Sequence, residues 1–401
     1  MKYIVILGDG MADEPIEALG GRTPLEAAKT PMMDELAATG EIGLVKTIPD
    51  GMAPGTDTAN LPESGYNPRE YYSGRSPLEA LSIGVPMKDT DVAMRCNLVT
   101  LTEEEPYEQK HIIDHSSSEI STEDAAVLLK AVQDELENET YQFYVGTSYR
   151  HCVIWANGVV EDLAAPHDHL TEVIGPYLPA DDALLAMQKR SYEILANHPI
   201  NLELKAKGLN PANSCWFWGA GTKPMVDSFE KKNGIKGAMI SAVDLLKGIA
   251  VGAEMQVIKV EGANGGLNTN YEGKAQAAVD VLLNGGADYA YVHLEAPDEM
   301  GHQGSLERKL QAIENLDQRV IRIVKEQMDA SGEPYRMLVM PDHPTPIRIR
   351  THTADPIPYL LYDSRKTLGS GGLYCERTAR DSGIYRPEGY RLIDVLLEKQ
   401  D

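Results

Sequence analysis

The chain has 401 residues, of which 42% are hydrophobic and 24% are charged, and its formal net charge is −24 at pH 7. This length favours two domains, and the acidic balance excludes a nucleic-acid binder, which needs a basic face. No apolar run approaches the roughly 20 residues that span a bilayer, and the four cysteines form no CxxC pair, so we expect a soluble cytoplasmic protein with reduced thiols.

The first predicted element is a fully buried strand at Tyr3–Leu7, which ends in Gly8-Asp9-Gly10. Asp9 interrupts the N-terminal apolar stretch, so no signal peptide is predicted. Further along, Gly55 and Thr56 are typical of a tight turn that opens a helix, whose first amides can bind an anion. The local alternative for Thr56 is a simple helix N-cap.

The middle of the chain, from about Asp91 to Pro199, alternates between two kinds of segment. The predicted strands are Val92–Leu101, Gln142–Val145 and Cys152–Trp155, and the predicted helices are Thr122–Leu136 and Asp181–Ala196. We interpret residues 89–205 as a smaller α/β domain inserted into a discontinuous larger one, which comprises residues 1–88 and 206–401. Joints near Gly84–Lys88 and His198–Asn213 contain the prolines and glycines expected of hinges.

Two more apolar strands with a helix between them are predicted in the last third of the chain. Tyr289–Leu294 precedes Asp298, and Met337–Met340 precedes Asp342. Apolar residues at helical spacing predict an amphipathic helix over residues 305–327. Strand, helix, strand with continuously apolar strands is typical of an α/β domain with a mostly parallel sheet.

Carboxylates and imidazoles follow the predicted strands, at the edge where functional groups of parallel sheets collect. The candidate ligands and nucleophile are Asp9, Thr56, Asp298, His302, Asp342, His343 and His352. A pair of divalent cations with such ligands can clamp a phosphoryl group and activate a hydroxyl. We therefore predict a two-metal phosphoryl-transfer centre, in which metal coordination would make the hydroxyl of Thr56 a nucleophile.

Each candidate also has an ordinary structural interpretation. Asp298 and His302 have the i,i+4 spacing of many solvated surface pairs. The prolines around Asp342-His343 favour a bent strand exit, but they also fit a polar strand end. His352 alone is compatible with a core or surface histidine, and Asp9 with a strand-end cap. The combination supports a metal centre better than any single member does.

Ordered motifs run along nearly the whole chain. They are Ile-Leu-Gly-Asp-Gly-Met-Ala-Asp (6–13), Gly-Arg-Ser-Pro-Leu-Glu-Ala (74–80), Met-Arg-Cys-Asn-Leu (94–98), Tyr-Arg-His (149–151), residues 240–249, the Asp298/His302 pair, Pro-Asp-His-Pro-Thr-Pro (341–346) and residues 352–358. Together they resemble the archaeal type of cofactor-independent (2,3-bisphosphoglycerate-independent) phosphoglycerate mutase, within the alkaline phosphatase superfamily. The resemblance implies an alkaline-phosphatase-like three-layer α/β domain with a mostly parallel sheet, plus a smaller inserted α/β domain.

The resemblance also implies an activity and roles for the candidate residues. The reaction would interconvert 3- and 2-phosphoglycerate, a glycolytic step, through a phosphothreonine at Thr56. Two divalent metal ions (Mn, Mg or Zn) would be bound, one by Asp9, Thr56, Asp342 and His343 and the other by Asp298, His302 and His352. Arg95 and Arg150 would clamp the small phosphorylated substrate, with His151 nearby. The alternative for the arginines is ordinary salt bridging.

The chain departs from the family pattern at three places. Thr56 stands where the family usually has serine, and Ser117-Ser118-Glu119-Ile120 replaces Ala-Gly-His-Ile in the substrate loop. Pro62-Glu63 interrupts a usually apolar helix after the nucleophile. A related metal-dependent phosphotransferase or phosphatase, with a homoserine-kinase-like role, is therefore the alternative function. A metal-binding pseudoenzyme that acts as an interaction protein is the non-enzymatic alternative.

Overall fold

The computed structural model describes residues 1–72, 74–223, 227–369 and 371–399, and it divides the chain into two compact units. The larger unit consists of Met1–Tyr72 and Val226–Asp401, and the smaller unit is Ser73–Met225. Among the described residues, no helix combines the length and apolar character needed to cross a membrane.

The strands and helices are numbered along the chain. The strands are β1 (Lys2–Gly8), β2 (Glu41–Val45), β3 (Val92–Leu101), β4 (Ile112–Asp114), β5 (Tyr141–Thr147), β6 (Arg150–Trp155), β7 (Ser214–Thr222), β8 (Gly237–Ile240), β9 (Gln256–Val257), β10 (Tyr289–Leu294), β11 (Tyr335–Met340), β12 (Ile357–Asp363) and β13 (Tyr385–Arg386). The helices are α1 (Pro24–Ala27), α2 (Pro31–Ala37), α3 (Thr56–Glu63), α4 (Pro68–Tyr71), α5 (Arg75–Ser82), α6 (Thr122–Leu136), α7 (Asp182–Leu195), α8 (Pro199–Ala206), α9 (Phe229–Asn233), α10 (Asp244–Gly252), α11 (Tyr271–Leu283), α12 (Ala296–His302), α13 (Leu306–Leu316), α14 (Arg322–Ser331), α15 (Glu376–Asp381) and α16 (Leu392–Leu396).

The larger unit is built on an eight-stranded sheet with the order β13-β2-β12-β11-β1-β10-β8-β9. The five neighbours β11, β1, β10, β8 and β9 are parallel, whereas β12 is antiparallel to both of its neighbours. The central strands β10 and β11 are buried along their whole length because helices cover both of their faces. Their carboxyl ends therefore lie side by side at one edge of the sheet.

Helices cover both faces of this sheet. One face presents Ile4 and Ile6 of β1 to a core that includes α11, α13 and α14. On the other face, Tyr291 of β10 bonds to side chains of α3, and Arg336 of β11 donates to carbonyls of α16. This three-layer arrangement confirms the predicted α/β fold class with a mostly parallel sheet.

The helix predicted over residues 305–327 is α13 and α14 joined through a wider π-helical turn at Asp317–Ile321. The turn includes Asp317, whose buried carboxylate accepts hydrogen bonds from the amides of Met32 and Met33 at the start of α2. Its apolar residues keep the predicted spacing and pack on the sheet. The single predicted helix is thus one continuous element with a local change of pitch.

The smaller unit contains a five-stranded sheet with the order β4-β3-β6-β5, in which β7 also pairs with β3. These pairs are antiparallel, and α6 and α7 contribute to the core on one face. The unit extends beyond the predicted limits of 89 and 205. The reason is that β7 pairs with β3 along most of its length, and α5 packs on both strands.

Candidate metal centre

Three neighbouring strand ends position the carboxylates of the larger unit. In the sheet, β1 lies between β10 and β11 and is parallel to both. Asp9 directly follows β1, Asp342 lies two residues beyond β11, and Asp298 lies in the first turn of α12, just after β10. The loop between β11 and β12 adds His343 and His352.

The first group of converging side chains is fully buried. One ligand atom from each of Asp9, Asp342 and His343 lies within 4.8 Å of the others. His343 Nε2 is 3.5 Å from Asp9 Oδ1 and 3.4 Å from Asp342 Oδ2. Burial, together with the charges of Asp342 and Asp298, raises the pKa of Asp9 well above its usual range. Two carboxylates this close need a cation to remain ionised together.

The second group is partly open. His302 Nε2 lies 3.1 Å from Asp298 Oδ2 and 3.0 Å from His352 Nε2, and His352 Nε2 lies 3.4 Å from Asp298 Oδ1. The hydrogen bond to Asp298 raises the pKa of His302 to about 9. Burial by itself would raise the pKa of Asp298, but hydrogen bonds from His302 and His352 hold this pKa well below its usual range. His343 also lies within 4.8 Å of Asp298 and His352, so it joins the two groups.

Hydrogen bonds fix the orientation of two imidazoles. His302 Nδ1 lies 2.9 Å from the carbonyl of Arg350, and His343 Nδ1 lies 3.2 Å from Thr345 Oγ1. In a neutral imidazole, an Nδ1–H that donates to an oxygen leaves Nε2 as the lone-pair atom, which is the usual arrangement of a metal-ligating histidine. Without a metal, the hydrogen bond to Asp298 favours a proton on Nε2 of His302 instead. Both Nε2 atoms face the carboxylates.

Thr56 opens α3 and is half-buried. The amide of Asn60, one turn later, joins the turn of Thr56 to the first group. Asn60 Nδ2 donates to the carbonyl of Thr56 and to Asp342 Oδ2, each at 2.8 Å. The start of α3 is therefore held beside a carboxylate of the centre.

The chemistry of these donors fits divalent cations. Asp9 Oδ1 and His343 Nε2 are buried and have no hydrogen-bond partner in the described chain. Two imidazole Nε2 atoms also face each other at 3.0 Å, an arrangement that a shared proton or a cation stabilises. Mixed carboxylate and imidazole ligands suit zinc and manganese in particular. The centre therefore provides candidate ligands for divalent metal ions.

A glycine allows the strand ends to approach this closely. Gly10 has a φ of +59°, in the left-handed region that favours glycine. A Cβ at this position would lie 2.4 Å from Thr345 Oγ1 and 2.6 Å from Asp298 Oδ1. The amide of Gly10 also donates to Asp342 Oδ1 at 3.1 Å. A larger residue would push apart the loops that hold the three aspartates.

The smaller unit holds the other predicted site residues. Arg95 on β3 and Arg150 on β6 lie on one face of the sheet, since Arg95 is paired with Cys152. Arg95 forms a bidentate ion pair with Glu79 and lies over the ring of Trp218, whereas Arg150 is exposed.

The expectation that His151 lies beside the two arginines is not met, because adjacent residues of a strand point to opposite faces. Its imidazole is buried, Nδ1 accepts a bond from the amide of Gly146, and burial lowers its pKa to about 4.

Comparison with known proteins gives a consistent family. A profile of the 2,3-bisphosphoglycerate-independent phosphoglycerate mutases matches residues 37–201. Proteins with that name from Methanosarcina barkeri and Methanosarcina mazei are 47% and 48% identical to this chain, over 99% of it and 100% of their own lengths. The chain belongs to this family.

Solved structures agree with the assignment to the phosphoglycerate mutase family. The cofactor-independent phosphoglycerate mutase of Thermoplasma acidophilum is 26% identical, with a TM-score of 0.69 over 99% of each chain. A protein from Pyrococcus horikoshii is 28% identical, with a TM-score of 0.82 over 100% of this chain and 98% of its own. The predicted family and the predicted enzyme class, an isomerase, are confirmed.

In this chain, sequence reasoning missed three side chains that support the predicted ligands. They are Asn60, which is described above, His293 and Lys309. His293 Nε2 lies 3.1 Å from Asp9 Oδ2 and its Nδ1 lies 3.4 Å from Ser241 Oγ. In the sequence, the only feature that could have pointed to His293 as a supporting residue is that it is a single histidine within the apolar run of β10.

Lys309 is fully buried and joins the loops after β1 and β11. Its Nζ donates to Asp13 Oδ2 at 2.8 Å, to the carbonyl of Thr345 at 2.8 Å and to the carbonyl of Ala12 at 3.3 Å. One ammonium group thus fixes the spacing between the two loops that carry Asp9 and Asp342. Its signal in the sequence was a lysine on the apolar stripe of a predicted helix.

Proposed function

We propose that this chain is a metal-dependent phosphoglycerate mutase, which interconverts 3- and 2-phosphoglycerate through a phosphothreonine at Thr56. The observation that carries the proposal is the convergence of two carboxylate and imidazole groups beside the start of α3. It occurs in a chain that is nearly half identical, over its whole length, to named mutases.

Thr56 would be the nucleophile. Its hydroxyl would lose its proton and its oxygen would form a bond to phosphorus while the bond from phosphorus to the glycerate oxygen breaks. That oxygen would take up a proton, so the transfer involves no net gain or loss of protons. The reverse transfer to the other glycerate hydroxyl would restore free Thr56. Asn60 would keep the turn of Thr56 in place through both transfers, because it is bonded to the carbonyl of Thr56 and to Asp342.

Two groups of residues would hold the metal ions. Asp9, Thr56, Asp342 and His343 would hold one, and Asp298, His302 and His352 would hold the other. Bound divalent cations would neutralise the phosphoryl oxygens and favour ionisation of the threonine hydroxyl. They would also offset the negative charge of this acidic chain toward an anionic substrate.

The smaller unit would supply the glycerate clamp. Arg150 is the better candidate for direct contact with a carboxylate or phosphate, because it is exposed and forms no ion pair in the described chain. Arg95 would support it, since the guanidinium of Arg95 is already bound to Glu79. His151 would act only as a structural residue of the opposite face.

A coupled assay tests the proposal. Purified protein with manganese should convert 3-phosphoglycerate to 2-phosphoglycerate, detected through enolase, and a chelator should abolish the conversion. Thr56→Ala should remove both the activity and the phosphorylated protein, whereas Thr56→Ser should retain a hydroxyl nucleophile and measurable turnover. Release of inorganic phosphate without 2-phosphoglycerate would instead support the phosphatase alternative.

A further inference from the structure

A buried carboxyl group lies at the inner end of α3. Glu63 is 3% exposed, and its Oε2 lies 2.7 Å from the hydroxyl of Tyr291 on β10. The same hydroxyl lies 2.5 Å from Asn60 Oδ1. Glu63, Tyr291 and Asn60 therefore form a continuous chain of hydrogen bonds, which ends at Asp342 and at the carbonyl of Thr56.

The direction of each bond follows from the number of available protons. Both hydrogens of Asn60 Nδ2 are used, since its partners, Asp342 and the carbonyl of Thr56, can only accept. Asn60 Oδ1 is an acceptor, so the single hydroxyl proton of Tyr291 must be donated to it. The contact between Tyr291 and Glu63 then requires a proton from the carboxyl group of Glu63.

The surroundings of Glu63 favour the same protonation state. Its second oxygen, Oε1, is buried and has no hydrogen-bond partner in the described chain. The titratable groups that face it are Tyr289 and Tyr291 of β10 and Asp342 beyond β11. The helices α4, α10 and α16 and the short turn Gly389–Arg391 also pack on α3, and among the described residues none of them supplies a group that shifts the pKa of Glu63. Burial and the charge of Asp342 raise the pKa of Glu63 well above its usual range.

We propose that Glu63 is a neutral carboxylic acid which donates to Tyr291 and, through Tyr291 and Asn60, positions Asp342 and the turn of Thr56. It is a positioning residue, because it touches neither the substrate nor the reacting atoms. Its effect on turnover rests on the proposed function, whereas its protonation state and its place in the hydrogen-bond chain do not. The proposal also explains how this helix accommodates a glutamate at a usually apolar position.

Infrared spectroscopy tests the protonation state directly. The spectrum of the metal-loaded wild type at pH 7 should contain the carbonyl band of a protonated carboxylic acid that Glu63→Gln lacks. The control is Glu326→Gln, which alters an exposed carboxylate on α14 and should keep the band. If the Glu63→Gln spectrum differs from the wild type only in the carboxylate region, Glu63 is ionised and the proposal is wrong.

Thermal unfolding gives a second test. A carboxyl group whose folded pKa is raised stabilises the fold fully below its unfolded pKa, 4.5 for glutamate, and loses that contribution as the pH rises toward the folded value. The glutamine of the Glu63→Gln variant does not titrate. The melting temperature of the wild type should therefore fall relative to Glu63→Gln by on the order of 2 °C per pH unit between pH 5 and 8. A constant difference would overturn the proposal.

Variants separate positioning from mere packing. The amide of Glu63→Gln can still donate to Tyr291, so kcat should stay within about twofold of the wild type. Glu63→Leu and Tyr291→Phe should each lower kcat by about tenfold and weaken manganese binding, measured by calorimetry, while KM changes little. If Glu63→Gln lost as much manganese affinity as Glu63→Leu, the negative charge would be the essential feature. If mutase turnover were absent altogether, the infrared and manganese measurements would still decide the proposal.

Discussion

The metal centre of the larger unit and the arginine face of the smaller unit are organised in different ways. In the centre, buried side chains from three parallel strand ends face one another, and nearly every member has a second bond that fixes its orientation. On the arginine face, Arg150 is exposed and its ring contact is with the neighbouring Tyr149. The candidate metal ligands are thus buried and oriented by neighbouring side chains, whereas, in the described chain, Arg150 is held only by its contact with Tyr149.

The loop around Glu119, which also belongs to the smaller unit, differs from the buried candidate metal ligands as well. Ser117, Ser118 and Glu119 have φ values of +50°, +58° and +53°, a conformation that non-glycine residues adopt reluctantly. The carboxylate of Asp114 accepts bonds from the amides of Ser116 and Ser118 within this segment. The segment Ser117–Glu119 is thus held in a left-handed turn by the carboxylate of Asp114 and not by a partner from the metal-ligand groups.

The largest expected effect follows from replacing one of the buried candidate metal ligands. Asp342→Asn should lower mutase activity by on the order of 10³-fold, because it removes a ligand and the acceptor of Asn60. Metal analysis should show the loss of one ion, and the melting temperature measured with a chelator should change little. Asp280→Asn, an exposed aspartate on α11, is the matched control. An Asp342→Asn protein with two bound ions and normal turnover would contradict the assignment.

Replacing Lys309, which joins the loops that carry Asp9 and Asp342, should have the next largest effect. Lys309→Met leaves Asp13 buried without its cation, which should cost about 3–5 kcal/mol of unfolding free energy. It should also weaken metal binding by about 10- to 100-fold, since the loops of Asp9 and Asp342 lose their common donor. Adding Asp13→Asn should recover part of the stability but not the metal affinity. Denaturant unfolding and calorimetry measure both quantities, and full recovery of metal binding would contradict the role of Lys309.

For the exposed Arg150 of the smaller unit we expect a change in KM and not in metal binding. Arg150→Ala should raise KM by about tenfold, because a charge-assisted bond to an anionic substrate is lost. Metal content and the melting temperature should stay the same. Arg190→Ala serves as the control, because Arg190 is an exposed arginine of α7 whose ion pairs, to Glu135 and Glu193, are also exposed. A loss of kcat with constant KM would move Arg150 out of the substrate clamp.

The smallest effect is expected in the altered loop. Glu119 is an exposed carboxylate, so Glu119→His should relieve repulsion of an anionic substrate and lower KM by about threefold. The gain should diminish at high ionic strength, because salt screens charges at an exposed site. Glu119→Gln provides the comparison that removes the charge without adding an imidazole. If KM does not change in either variant, the loop does not approach the substrate.

Local patterns predicted much of the secondary structure. The predicted strand Val92–Leu101 and helix Thr122–Leu136 coincide with β3 and α6, because apolar spacing and capping residues act over short distances. The limits of the smaller unit were not predictable in this way. Whether residues 206–225 belong to it depends on the pairing of β7 with β3, which is more than a hundred residues away in the chain.

The residues of the candidate site likewise fall into those that local sequence predicted and those that it did not. Asp9, Asp298 and Asp342 could be proposed from the sequence because each follows an apolar strand. Asn60, His293 and Lys309 could not, since a polar side chain inside a helix or strand acquires a role only from its partners in space. The face occupied by His151 likewise became clear only from its register against β3.

The sequence by itself determined the family, the fold class and the side chains able to bind metal, since these depend on residue type and local order along the chain. Only the tertiary structure decided which of those side chains meet, which hydrogen bonds orient them, and that Glu63 is buried at the end of a hydrogen-bond chain leading to Asp342. Those properties depend on distances between segments that are far apart in sequence, and such distances are set by the packing of the whole sheet and its helices.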